Sequence, residues 1–352
     1  MKYIFLFCLL VSGSVNAQLL KVGVAGLSHD HAQGLMQQYK RGEVILLGIA
    51  EADQNLVARY KKNFQLPDSL FYNSVASMLQ KIKPDAVLAY NAISEHIDVV
   101  EACAPKKISV MVEKPLATTV QQAERMKALA DQYKIQLLTN YETTWYNSNQ
   151  QVFTMVKEQH IGPIRKMVVH DGHGGPKEIG CSPEFLAWLT DPIKNGGGAL
   201  VDFGCYGANL MTWLMDGKAP VAVTAVTRRI KPDVYPKVDD DATILLEYPE
   251  ATGIIEASWN WPFGIKDMEV FGKSGYLHSL NSNSIEERKK DVYEKVEVKQ
   301  AVFQNNLVYL AAVLRGEVKA ENDLSSLNNN LIVVRILEAA RKSAKEGKRI
   351  VL

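Results

Sequence analysis

The sequence predicts an α/β protein. A doubly wound parallel sheet comes first, and an α+β domain with an open, mostly antiparallel sheet follows. Three observations carry this. Short apolar runs alternate with helical stretches over the first 140 residues. The first of these runs passes through a glycine turn straight into a helical stretch. Beyond Asn140 the runs lengthen and are separated by turns rather than helices.

Leu19 to Ala25 is the first expected strand, with a helix near Ala32 to Tyr39. Val44 to Ala50, Phe71-Tyr72, Asp85 to Tyr90, Ile108 to Val112 and Ile135 to Thr139 continue the strands. Helices are expected around Gln54 to Asn63, Val75 to Ile82, His96 to Cys103 and Val120 to Tyr133. Apolar runs without alternation suit strands covered on both faces. Residues 18–140 therefore form one domain and 141–352 a second. In the second, Lys166 to His170, Ala222 to Thr227, Ala242 to Tyr248, Gly253 to Trp259 and Asp267 to Phe271 read as strands. Leu324 to Lys345 reads as a helix stopped by Gly347 that could pack back on the first domain, with Ile350-Val351-Leu352 free to join a sheet edge.

Residues 1–17 read as a signal peptide, with Lys2, an apolar run from Tyr3 to Val11, and a small-residue site at Val15-Asn16-Ala17. Export to a periplasmic or other extracytoplasmic space is the expectation. Cys103, Cys181 and Cys205 then remain, too sparse for a disulfide framework and without zinc spacing. A net charge of +1 calls for neither nucleic acid nor an anionic membrane.

Gly23 to His31, GVAGLSHDH, is the turn in question. Gly26 holds the first position of a dinucleotide fingerprint, while Ser28 and His31 stand where the second and third glycines are usual. Leu27, Ser28 and His29 complete the loop at a helix N-terminus, which suits a phosphate. Glu51 ends the second strand at the distance where a carboxylate meets the adenosine ribose, with Asp53 as a substitute, and favours NAD over NADP. His29, His31 and His96 all fall at the C-terminal ends of strands, where open parallel sheets bind ligands.

Val112-Glu113-Lys114-Pro115-Leu116-Ala117 resembles the EKP motif of the Gfo/Idh/MocA oxidoreductase family. Gly196 to Asn209, GGGALVDFGCYGAN, is similar to that family's second motif. Asn91 to His96 and Val238-Asp239-Asp240 are looser matches. The resemblance implies a Rossmann domain, an open-faced sheet domain, NAD(P) between them, a carbohydrate substrate and a homo-oligomer. It implies Lys114, Asp202 and Tyr206 as catalytic residues, with Asn209 toward substrate. Asn91, His96 and Glu113 join the cofactor side. Ala92 and Ile93 depart from the usual proline and asparagine, and Tyr206 replaces the commoner histidine. A phenol is a weak base near its ordinary pKa of ~10, so Lys114 is expected beside it to lower its proton affinity.

His173 and Lys177 lie on a glycine-rich loop and are candidates for substrate hydroxyls. His170, Asp171 and His173 could ligate a metal, but no third spacing supports it, and no metal is assigned. Asp239-Asp240-Asp241 reads as a solvated strand start, and Trp259 and Trp261 as packing. The expected function is NAD(P)-dependent oxidation of a CH–OH group on a sugar, polyol or glycoside, with the cofactor tightly held because free NAD is scarce outside the cytoplasm. A redox-neutral, NAD-dependent glycosidase is the alternative. A non-catalytic sugar-binding scaffold is the alternative of another class.

Overall fold

The computed structural model describes residues 19–352. The expected signal peptide lies outside the described residues. The first part runs β1 (Lys21–Ala25), α1 (Ala32–Lys40), β2 (Ile45–Ala50), α2 (Gln54–Phe64), β3 (Phe71–Tyr72), α3 (Val75–Lys81), β4 (Ala86–Ala89), α4 (His96–Cys103), β5 (Ser109–Glu113), α5 (Val120–Tyr133) and β6 (Leu137–Asn140). All six strands are parallel, in the order β3-β2-β1-β4-β5-β6. β1 thus sits between β2 and β4, where the winding reverses and a crevice opens beyond the strand ends. The helices start where the sequence supplies caps. The Asp53 carboxylate accepts from Asn55 N, Ser74 and Ser77 form a reciprocal capping box, and Thr119 accepts from Gln122 N.

The second part continues with α6 (Asn147–Lys157), β7 (Ile164–Gly172), α7 (Pro183–Leu189), α8 (Ala199–Asp202), α9 (Gly204–Leu214), β8 (Ala222–Arg228), β9 (Asp241–Glu247), β10 (Thr252–Ser258), β11 (Ile265–Gly272), β12 (Tyr276–Asn281), β13 (Ser284–Arg288) and β14 (Tyr293–Val296). It ends with α10 (Asn306–Leu314), α11 (Leu327–Glu346) and β15 (Ile350–Val351). The nine-stranded sheet has the order β14-β13-β12-β11-β7-β10-β9-β8-β15. It is antiparallel except for β7 and β10, which run parallel and centre the sheet. Gly347 ends α11 with φ +63°, and β15 pairs with β8 at the sheet edge.

Among the described residues, one face of this sheet is covered by helices and the other is bare. Met167, Val169, Ile255, Ile244 and Val270 are buried on the covered side. There α9 lies buried along its whole length, as a helix that is apolar all round must be. Gly207 makes the close approach possible, since a Cβ there would meet Ile255 at 2.7 Å.

The C-terminal helices belong to both parts. Leu307, Leu310 and Val313 of α10 fill the core of the first domain beside Val22, Val24 and Leu88. From α11, Leu331 and Val334 join the other Rossmann core, while Val333, Ile336 and Leu337 join that of the second domain. At the opposite side, α7 lies on the glycine loop. Trp188 Nε1 donates to Ser28 O at 3.4 Å, and Arg59 grips Glu184 with two bonds of 2.9 Å.

Candidate functional site

Gly26 turns the chain out of β1 with φ +77°, and a Cβ there would lie 2.9 Å from the Asn91 backbone. Glu51 then fixes the loop from β2. Its two oxygens accept from Leu27 N and Asp53 N, each at 2.8 Å. Burial raises the proton affinity of Glu51, and these two amides oppose the rise. The His29 amide is spent on Tyr90 O. Of the loop amides from Leu27 to His31, only Ser28 and Asp30 keep a free N–H within the described structure. Beside them lies a cleft of about 740 Å³, lined by Gly26, Ser28, Glu51, Asp53, Asn91 and Trp188 among others. Two free amides, a glycine turn that admits no side chain, and a carboxylate rim fit a dinucleotide. Gly26, Ser28, Glu51 and Asn91 would hold it, and its nicotinamide would supply hydride chemistry.

Leu27, His29, His31, His96 and Glu113 are not among the residues that line this cleft. Leu27 turns into the core, because its side chain is the apolar member of the loop. His29 is fully buried against Phe185 and Trp188, and burial holds it well below its usual titration range. Its Nδ1 accepts from His31 N at 3.1 Å. His31 Nδ1 meets Glu113 Oε2 at 2.9 Å, while Asn140 Nδ2 donates to Glu113 Oε1 at 2.8 Å. One ligand-type atom from each of His29, His31 and Glu113 lies within 4.8 Å of the others. The lone pair on His29 Nδ1 already faces the His31 amide, so the three residues are joined as a clasp between β1 and β5. His96 donates from Nδ1 to Leu116 O at 3.1 Å and braces the turn that carries Lys114.

That turn brings together the three expected catalytic residues. Lys114 Nζ lies 2.5 Å from Asp202 Oδ1 and donates to Asp202 O at 3.1 Å. Trp259 Nε1 holds Asp202 Oδ2 at 3.0 Å. Trp259 therefore orients the acid, beyond the packing role expected of it. Burial alone would neutralise both partners. Their mutual charge outweighs it, keeping Lys114 above and Asp202 below their ordinary values.

Tyr206 has the ammonium of Lys114 at 4.9 Å and that of Lys266 at 4.8 Å from its ring centroid. The expected lowering of its proton affinity is nevertheless reversed. Burial, then Asp171 and Glu142, hold the phenol well above its usual value, which favours its protonated, hydrogen-bond-donating form. Lys266 and Glu142 are ion-paired at the edge of this group.

His173 joins the cluster, edge-on to Phe203 with ring centroids 4.8 Å apart, and its Nδ1 accepts from Gly175 N at 2.9 Å. Lys177 does not join it. Its side chain is exposed, and Lys231 fills the loop instead, donating to Gly174 O and Trp259 O. Asn209 stands apart as well. It is buried between α9 and α11, donating from Nδ2 to Leu324 O at 2.8 Å and accepting at its backbone carbonyl from Asn329 Nδ2. Asp239 and Asp240 are also not solvated. Asp239 accepts from Gly198 N and Leu200 N, and Asp240 from Ile230 N and Lys231 N.

The sequence reading passed over Asp171 as a site residue. It is 1% exposed at the end of β7, and its carboxyl accepts no hydrogen bond from the protein. The signal was its place two residues before His173, where β-strand alternation puts both side chains on the covered face.

Residues 20–141 match the model of an oxidoreductase family with an NAD-binding Rossmann fold, and residues 149–278 match that of a GFO/IDH/MocA C-terminal domain. A D-xylose 1-dehydrogenase [NADP(+)] of Haloarcula marismortui is 26% identical over 47% of this chain and 45% of its own. A trans-1,2-dihydrobenzene-1,2-diol dehydrogenase of Xenopus laevis is 24% identical over 58% and 57%. The chain thus spans about half the length of these curated relatives. Among solved structures, an aldose-aldose oxidoreductase from Caulobacter crescentus superposes with a TM-score of 0.78, at 22% identity over 95% of this chain and 100% of that one. An inositol dehydrogenase homolog from Azotobacter vinelandii, complexed with NAD+, gives 0.81 at 17% identity over 96% and 98%.

Proposed function

From the premise that this chain belongs to the GFO/IDH/MocA oxidoreductase family, we propose that it oxidises a CH–OH group of a sugar, polyol or glycoside with a bound nicotinamide dinucleotide. The observation that carries this is the Lys114–Asp202 ion pair, buried where the chain leaves β5 at the C-terminal edge of the Rossmann sheet. A buried charge pair costs desolvation. Here the ammonium stays charged and next to the strand ends where a substrate oxygen would sit. Lys114 donates to that oxygen and stabilises negative charge growing on it, while Asp202, steadied by Trp259, aims the ammonium. Tyr206 donates a second hydrogen bond. His173, whose neutral ring carries its proton on Nε2, donates a third.

The cofactor is NAD rather than NADP. The cleft is lined by Glu51, Asp53, Glu95, Asp98 and Glu184 against a single lysine, Lys194, and a ribose phosphate would meet repulsion there. The protein is exported, and the cofactor stays bound through each cycle. Two copies associate through the bare sheet face, where Val168, Ile254 and Leu245 stand in one row. The test is to purify the protein without added nucleotide, denature it, and weigh what is released. Near-stoichiometric NAD or NADH is expected, and turnover of D-xylose or inositol with NAD should follow. A protein that is empty and does not bind added NAD would overturn the reading and favour a sugar-binding scaffold.

A further inference from the structure

Asp202 is aimed at Lys114 with the help of Trp259, which stands just past the end of β10. What aims Trp259 is a side chain from another segment. Lys231, between β8 and β9, extends its ammonium to Trp259 O at 2.8 Å, Gly174 O at 2.7 Å and Glu178 Oε1 at 2.5 Å. An ammonium has three N–H donors, and here each has its acceptor. Gly174 and Glu178 belong to the loop after β7, so one lysine ties three strand ends together. Lys177, the lysine expected to serve this loop, donates its backbone amide to the Tyr235 hydroxyl at 3.1 Å.

Both ends of the tether are fixed. The Asp240 carboxylate accepts from Ile230 N at 2.8 Å and Lys231 N at 2.7 Å, which anchors the backbone of the lysine. The Asp240 carbonyl accepts from Trp259 N at 2.8 Å. The ring of Tyr235 lies against that of Trp259, with centroids 4.9 Å apart, and its hydroxyl donates to Glu178. Trp259 is thus held at its amide, its carbonyl and its ring while its indole N–H meets Asp202 Oδ2. The double glycine of the loop makes room for the lysine. A Cβ at Gly175, where φ is +115°, would lie 3.0 Å from Lys231 Nζ and 2.6 Å from the Tyr235 hydroxyl.

We propose that Lys231 is a positioning residue for the oxidation: it sets the place of Trp259, and through Trp259 the aim of the Asp202 carboxylate at Lys114. This rests on the oxidoreductase reading above. Among the described residues Lys231 makes no hydrogen bond to Lys114, Asp202 or Tyr206, so its action passes through the backbone oxygen of Trp259. Hydrogen bonds from an ammonium are stronger than those between neutral groups, which suits it to hold a neighbour still. A displacement of about 1 Å among aligned groups costs on the order of 100-fold in rate, even when it starts away from the reacting atoms.

The experiment has two readouts on the full chain, one of which needs no turnover. The five tryptophans are labelled with heavy nitrogen at the indole and followed by nuclear magnetic resonance. The Trp259 signal is assigned by its contact with the Tyr235 ring. Lys231→Met should shift that indole N–H resonance and speed its exchange with solvent, while those of Trp145, Trp188 and Trp213 stay in place and show the variant folded. The second readout is kinetic, with D-xylose or inositol and NAD. Lys231→Met should lower kcat about 10- to 100-fold, with KM for the sugar and Kd for NAD changed far less. Combined with Trp259→Phe it should lose far less than the product of the two single losses, because both changes break one line of support. A Trp259 resonance unmoved by Lys231→Met, a kcat that does not fall, or losses that multiply overturn the proposal. A resonance that moves as expected in a protein with no turnover on any sugar or polyol overturns the oxidoreductase reading instead, and the positioning role with it.

Discussion

Lys114 and Asp202 depend on each other for their charge. Replacing Lys114 by Met leaves Asp202 buried with only Trp259 as a partner. The variant should lose about 3–5 kcal/mol of stability, read by denaturant melts. It should also lose about 100- to 1,000-fold in kcat when assayed where it is still folded. Asp171 works the other way. Its folded value of about 8 lies above the ~4 of an exposed carboxyl, so the native state holds the proton more tightly. Stability from this group is full below the unfolded value and drains away as pH rises through the folded one. Wild type should therefore lose Tm relative to Asp171→Asn between about pH 4 and pH 8, and parallel melting curves for the two would contradict the assignment. Residue identity was legible for Lys114, Asp202 and Tyr206, because motif and topology bring them together. The protonation of Tyr206 was not legible. It depends on burial first, then on Asp171 and Glu142, which reach the site from two other strand ends.

At the scale of elements, the alternating pattern of the first domain could be read nearly to the residue. Each helix begins at a cap written locally, as at Asp53, Ser74 and Thr119. The parallel pairing of β7 with β10 was hidden, since it joins residues 86 apart in sequence, as Thr252 to Lys166, across α7, α8, α9, β8 and β9. The glycine loop shows how few positions an element needs. Gly26 alone requires left-handed backbone and close approach, whereas Ser28 and His31 are accommodated by Glu51 and the His31–Glu113 clasp. Gly26→Ala should cost about 1–3 kcal/mol and weaken NAD binding measured by calorimetry. Ser28→Gly should change stability far less. Equal losses from the two would show that the loop's geometry is not set at Gly26.

At the scale of the molecule, one sheet face carries α9 and the other carries none. Val168, Ile254 and Leu245 on the bare side are half-buried in one copy, and Val226 is 50% exposed beside them. The contact between copies proposed above would cover this patch. Leu245→Arg should convert an oligomer to monomer in light scattering while circular dichroism stays unchanged, and a wild type that is itself monomeric at high concentration would refute the contact.

The placement of α10 and α11 bears on the order of events in the life of the chain. The first domain is sealed by Leu307, Leu310, Val313, Leu331 and Val334, which are made well after its six strands. Until they arrive, Val22, Val24 and Leu88 have an open side, and the growing chain cannot lock into its native form from the front. The core of the first domain is therefore completed only by chain that follows the strands of the second, and its folding waits on that later segment.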